Sequence, residues 1–136
     1  MTSNTRFSMA VHIMTSLAYL NEKMSSEQLA SSVNTNPVVV RRLLCDLNRK
    51  GLIKSDRGKS GGYTLARNPK EISLLDIYRA VMADQDLVGL HENPEKHSCP
   101  VSCKVREALS GYLHKAQDVY ERELQRTVLA DIEKAM

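Results

Sequence analysis

Three features of this 136-residue sequence predict a mainly α fold with one small β-hairpin: a winged helix-turn-helix followed by a long C-terminal dimerisation helix. Two helical segments meet across the very short turn Asn34-Thr35-Asn36. Two short apolar runs flank the glycine turn Arg57-Gly58-Lys59-Ser60-Gly61-Gly62. From Val105 onward, apolar residues recur at helical spacing, with no Gly or Pro after Gly111. The expected division is a winged head over 1–83, a sensor-like loop over 84–104 and a dimerisation helix over 105–136.

The elements follow in order. Ser8 to Leu20 carries Met9, Val11, Ile13, Met14, Leu17 and Leu20 at helical spacing, a buried first helix. Ser25-Ser26-Glu27-Gln28 has capping-box spacing and opens a second helix through Leu29, Ala30 and Val33. Asn36 is a good N-cap and Pro37 suits the first helical position, where its missing N–H is not needed. That third helix runs to about Lys50, and Gly51 stops it. Its apolar face is Val40, Leu43, Leu44 and Leu47. Val38, Arg42, Cys45 and Arg49 point the other way, with Arg41 on the flank. Leu52–Ser55 and Gly62–Ala66 read as two strands, and Ile72–Val81 as a helix capped by Ser73 with Asp76 in its first turn. The stretch 84–103 is a polar loop, and loops of this length inside compact domains are often functional. The last stripe is Val105, Leu109, Tyr112, Ala116, Val119, Leu124, Val128 and Ile132, too long to bury against so small a head. It predicts a homodimer seam.

Charge is concentrated where the short helix and the hairpin lie. Residues 36–70 hold nine Lys or Arg against Asp46 and Asp56, a local +7 within a chain of formal net charge +3, which leaves −4 elsewhere. A basic patch of this kind is the footprint of phosphate binding. An amphipathic helix with arginines on its exposed side can dock in the major groove of duplex DNA. A glycine-rich turn lets backbone approach phosphates, while Arg57 or Lys59 reaches the minor groove. The residues expected at the DNA surface are Asn36, Val38, Arg41, Arg42, Cys45 and Arg49 on the helix, with Arg57, Lys59, Ser60 and Tyr63 on the hairpin. A two-fold dimer matches a palindromic operator. An enzyme is disfavoured: no Gly-rich phosphate loop follows a strand and no Ser/His/Asp grouping stands out. A protein–protein adaptor on a winged fold is the alternative class, and the clustered charge argues against it. No stretch approaches the roughly 20 apolar residues that span a bilayer, and no secretory signal is visible, so a cytoplasmic protein without membrane association is expected.

Asn36-Pro-Val-Val-Val-Arg-Arg-Leu-Leu44, Arg57-Gly-Lys-Ser-Gly-Gly-Tyr63, Ile72-Ser-Leu-Leu-Asp-Ile77 and His91-Glu-Asn-Pro with Cys99-Pro-Val resemble the Rrf-type family of bacterial winged-helix regulators, the group of IscR, NsrR and CymR, and are nearest to its YwnA-like branch. The resemblance spans nearly the whole chain. It implies a homodimer with crossed C-terminal helices, two DNA-reading heads and transcriptional repression. It also implies that Val38, Arg41 and Arg42 face bases and that Arg57 enters the minor groove.

The cysteines leave two chemistries open. Cluster-binding members of the family use three cysteines in the loop before the long helix. This chain has only Cys99 and Cys103 there, so no metal site and no cofactor are expected. An iron–sulfur or other metal-dependent regulator is the alternative, with His12, His91, His97 or a partner carboxylate completing the site. The other chemistry is a redox or electrophile switch. Cys99 and Cys103 lie where a helix start favours negative charge, and a disulfide between them is allowed if that junction is irregular. Cys45 lies between Arg42 and Arg49, where oxidation or alkylation would put bulk against DNA.

Overall fold

In a computed structural model, residues 4–83, 85–91 and 98–136 are described. Among these residues, six α-helices and one hairpin follow in the order α1 (Arg6–Leu20), α2 (Ser26–Val33), α3 (Pro37–Arg49), β1 (Ile53–Asp56), β2 (Gly62–Leu65), α4 (Leu74–Met82), α5 (Pro100–Arg126) and α6 (Leu129–Ala135), with a short 3-10 turn at Pro69–Glu71 before α4.

Local chemistry sets the boundaries of the head. The Ser25 hydroxyl accepts from the Gln28 amide at 3.1 Å and the Gln28 side chain accepts from the Ser25 amide at 2.9 Å, closing the capping box of α2. Asn34 ends α2 in the left-handed conformation with φ 62°. Two residues later the Asn36 carboxamide accepts from the Val38 amide at 2.8 Å and starts α3 on Pro37. Gly51, at φ 73°, turns the chain out of α3 toward the hairpin. Ser73 and Asp76 form a second capping box at the start of α4.

The buried faces of α1, α3 and α4 meet as one core: Ile13, Met14, Val40, Leu43, Leu44, Leu47, Ile72 and Ile77 are fully buried, with Leu29 from α2 and Leu52 and Ile53 at the hairpin root. Removing each such side chain from water contributes roughly 1.5–3 kcal/mol. For α3 the consequence is positional: four buried residues on one side lock its rotation, so the opposite side must face solvent. The strands pair antiparallel, Ile53 with Leu65 and Asp56 with Gly62, and residues 57–61 form the hairpin tip.

The C-terminal region departs from the expected single helix. The helix begins five residues earlier than Val105, at Pro100, so Cys103 lies inside it. It breaks after Arg126, where Thr127 and Val128 are extended. There the Leu74 amide donates to the Thr127 carbonyl and the Leu129 amide to the Ile72 carbonyl, each at 2.8 Å. These tertiary bonds replace the helical ones, and β-branched Thr and Val tolerate the extended backbone. The chain restarts as α6, with the Asp131 carboxylate accepting from the Val128 amide at 2.9 Å. Fully buried Leu129 anchors α6 beside α1. The expected stripe is therefore split. Leu124, Val128 and Ile132 turn toward the protomer's own head, whereas Val105, Leu109, Tyr112, Ala116 and Val119 remain exposed, joined by Val101 from the earlier helix start. Residues 84 and 92–97, including His97, lie outside the described residues.

Candidate nucleic-acid interface

Because Val40, Leu43, Leu44 and Leu47 are buried, the other side of α3 presents Val38, Arg41, Arg42, Cys45 and Arg49, all exposed. At about 100° per residue, Val38, Arg42, Cys45 and Arg49 fall within a stripe roughly 60° wide, with Arg41 on its edge. Asn36 is also exposed, but its carboxamide is committed to capping the helix.

The arginines differ in their partners. Arg41 lies 3.8 Å from Glu27 on α2. The carboxyl of Glu27 is held below the usual carboxylate range chiefly by the backbone amide at the start of α2, then by the Ser26 hydroxyl, with Arg41 adding less. Arg49 pairs with Asp46 one turn back, and Asp46 also accepts from Arg6 of α1 at 3.0 Å. Among the described residues, Arg42 has no ion-pair partner and is the most available cation on the helix.

On the hairpin, Arg57, Lys59 and Ser60 are exposed at the tip, where the Gly61 amide donates to the Gly58 carbonyl at 3.0 Å and Gly58 takes φ 114°. Below the tip, Lys23 pairs with Asp56 at 2.6 Å. The Lys23 hydrogen bond and charge hold the Asp56 carboxyl below its ordinary value, with Lys54 adding less. Tyr63 is half-buried and packs against the core, and its backbone pairs with Met24. Its side chain thus anchors the hairpin rather than extending from it. No local signal in the sequence marks the pairings of Glu27 with Arg41, Lys23 with Asp56 or Arg6 with Asp46. Only the Asp46–Arg49 spacing of three carries a helical pairing signal.

The fold separates Cys45 from the other two cysteines. Cys45 is exposed on α3. Cys99 is the N-cap of α5, its Sγ accepting from the Ser102 amide at 3.5 Å, and the Cys103 amide donates to the Cys99 carbonyl at 3.2 Å. The junction is a regular helix start, not the irregular one a Cys99–Cys103 disulfide needs. His12 is engaged by Ser32 at 3.0 Å.

A compact head with an arginine-bearing helix and a cationic hairpin defines a winged-helix DNA-binding transcriptional regulator. The chain belongs to the Rrf2 family, described as iron-dependent transcriptional regulators, whose profile matches residues 3–135. It is 43% identical over 129 residues to YwnA of Bacillus subtilis (strain 168), covering 95% of both chains. Among solved structures, it is similar to IscR of T. potens at 26% identity and TM-score 0.71, covering 99% of this chain and 88% of that one. It is also similar to CymR, the global cysteine regulator of B. subtilis, at 25% identity and TM-score 0.68, covering 100% and 98%. The family and these relatives are regulators, not enzymes. No helix among the described residues is long and apolar enough to cross a membrane.

The family description names iron. Among the described residues, no three His, Cys, Asp or Glu side chains gather as a metal-holding group. The thiols near the loop are two, Cys99 and Cys103, and Cys99 Sγ already serves as a helix cap. With two thiols, this donor set does not fit a cluster held by three cysteines.

Proposed function

We propose that the chain works as a homodimeric repressor. Each head lays α3 in a major groove and the hairpin tip along the adjoining minor groove of a palindromic operator, and occupancy of that operator blocks transcription. In this reading residues 1–83 read DNA, 84–104 form a sensor-like segment, and the exposed stripe of the helical region from 105 joins the protomers. The observation that carries it is the exposed stripe of α5: Val101 is 66% exposed, Tyr112 73% and Val119 60%, with Val105 and Leu109 between them. In a helix of 27 residues only Leu124 is buried, so the stripe needs cover from a second copy. A pair of heads joined through such a seam presents two copies of α3 with two-fold symmetry.

Arg41 and Arg42 are suited to bidentate contacts with guanine, each worth about 1–3 kcal/mol of discrimination. Asn36, Val38, Cys45, Arg49, Arg57, Lys59, Ser60 and Tyr63 complete the proposed surface, Asn36 and Tyr63 by holding its elements in place.

Leu109→Glu tests the seam. Sedimentation velocity should show a dimer for the parent chain and a monomer for the variant, and gel shifts on a duplex selected from a randomised pool should weaken in parallel. A variant that remains dimeric and binds as before would refute the seam.

A second reading is favoured by the exposure of Cys45 on the DNA-facing side of α3: alkylation or oxidation of this thiol releases the operator.

A further inference from the structure

A polar chain crosses the head from α5 to the exposed end of α3. On α5, Gln117 accepts from the Leu87 amide at 2.9 Å and donates through Nε2 to the Tyr78 hydroxyl at 3.2 Å. The Tyr78 hydroxyl donates to the Gln85 carbonyl at 3.2 Å. The Gln85 side-chain carbonyl accepts from Asn4 Nδ2 at 3.1 Å, and Asn4 Oδ1 accepts from the Arg6 amide at 3.0 Å. The Arg6 guanidinium reaches Asp46 Oδ2 at 3.0 Å, and Asp46 Oδ1 holds Arg49.

Two nodes of this chain are stiff. Tyr78 is 5% exposed and its ring packs edge-on with Phe7 at 5.5 Å and with Tyr120 at 5.6 Å, so the ring that carries the hydroxyl is held by two neighbours. The Asp46 side chain is 18% exposed, against 43% for Arg6 and 67% for Arg49. A half-buried carboxylate shared by two guanidinium groups cannot follow one without loosening the other, since each lost charged hydrogen bond leaves it under-satisfied.

We propose that Asp46 is a positioning residue for DNA binding. It sets the direction of Arg49 at the C-terminal end of α3, and the chain through Arg6, Asn4, Gln85, Tyr78 and Gln117 ties that direction to α5 and to the segment 85–87. A displacement of α5 or of that segment pulls on Gln85, and through Asn4 and Arg6 it changes the pairing of Asp46 with Arg49. A change at the dimer helix then reaches the DNA-facing side without any change in the core of α3. The proposal rests on the reading of α3 as the DNA-facing helix.

A double-mutant cycle on the full chain tests it, with Gln117→Leu, Arg49→Ala and the pair, titrated by fluorescence anisotropy on a duplex selected from a randomised pool. Gln117→Leu should weaken binding about threefold or more in the parent and not at all once Arg49 is Ala, a coupling within the range of residues that share a network. Asp46→Glu should retain part of the affinity that Asp46→Asn loses. Additive effects of Gln117→Leu and Arg49→Ala would overturn the relay while leaving the DNA-facing reading intact. Parent-like binding by Arg49→Ala alone would overturn the groove role of Arg49, and the proposal with it. If Asp46→Asn does not fold, proton–nitrogen correlation spectra of the arginine side chains in Gln117→Leu carry the test: the Arg49 resonance should move, and an unmoved one would refute the relay.

Discussion

The peptide groups of Met24 and Tyr63 exchange two hydrogen bonds, from the Met24 amide to the Tyr63 carbonyl at 3.1 Å and from the Tyr63 amide to the Met24 carbonyl at 2.8 Å. This bridge fastens β2 to the turn between α1 and α2, so the hairpin leaves the head at a set angle. The close approach also explains Gly62. A Cβ there would lie 2.8 Å from the Met24 carbonyl oxygen and 3.0 Å from its carbon, both backbone atoms. Gly62→Ala should therefore displace the bridge and destabilise the fold by about 1–3 kcal/mol, the usual range for overpacking. Urea unfolding would measure it, and an unchanged midpoint would mean that the start of β2 moves freely.

Arg57 is exposed at the hairpin tip, where its contribution to DNA binding would be largely electrostatic. Arg57→Ala should weaken binding and lower the slope of log affinity against log salt by about one unit. Anisotropy titrations at several salt concentrations would measure this, and a parent-like slope would remove Arg57 from the phosphate or minor-groove contacts.

Cys45 sits within the arginine stripe of α3, whereas Cys99 caps α5. Treatment with iodoacetamide should weaken operator binding of the parent protein and leave Cys45→Ser unaffected. Mass spectrometry would locate the adduct. Full alkylation of Cys45 with unchanged affinity would defeat the thiol reading.

The Lys23–Asp56 pair clamps the tip end of the hairpin strands in a pH-dependent way. Lys23 depresses the folded-state value of Asp56, so the stability it contributes is present above the ordinary aspartate range and is lost as pH falls through the depressed value. In Lys23→Ala, the Asp56 titration midpoint should rise toward the ordinary aspartate value. Carboxyl-carbon NMR across acidic pH would show the shift, and an unmoved midpoint would assign the depression to another group.

Much of the head was legible because its signals are local. Ser25 with Gln28, Asn36 before Pro37, Gly51 after α3, and Ser73 with Asp76 act within one turn of chain. The apolar period of α3 already determines that Val38, Arg42, Cys45 and Arg49 face outward. The basic hairpin tip is legible for the same reason, since strand, glycine turn and strand are consecutive.

The pairings that aim those side chains were not legible. Arg6 meets Asp46 across 40 positions, and Asn4 meets Gln85 across 81, so neither pairing exists until α1, α3 and α4 have packed. The end of α5 was hidden for the same reason. The residues around Thr127 can continue a helix, and it is the carbonyl of Ile72 and the amide of Leu74, distant in the chain, that draw them into an extended bridge. Sequence alone determined which faces are apolar, where the head's helices start and where positive charge collects, because capping and periodicity operate between neighbours. Tertiary structure decided which arginine is tied to which carboxylate, where the long helix stops and how the hairpin is held, because those bonds join segments that only the folded core brings together.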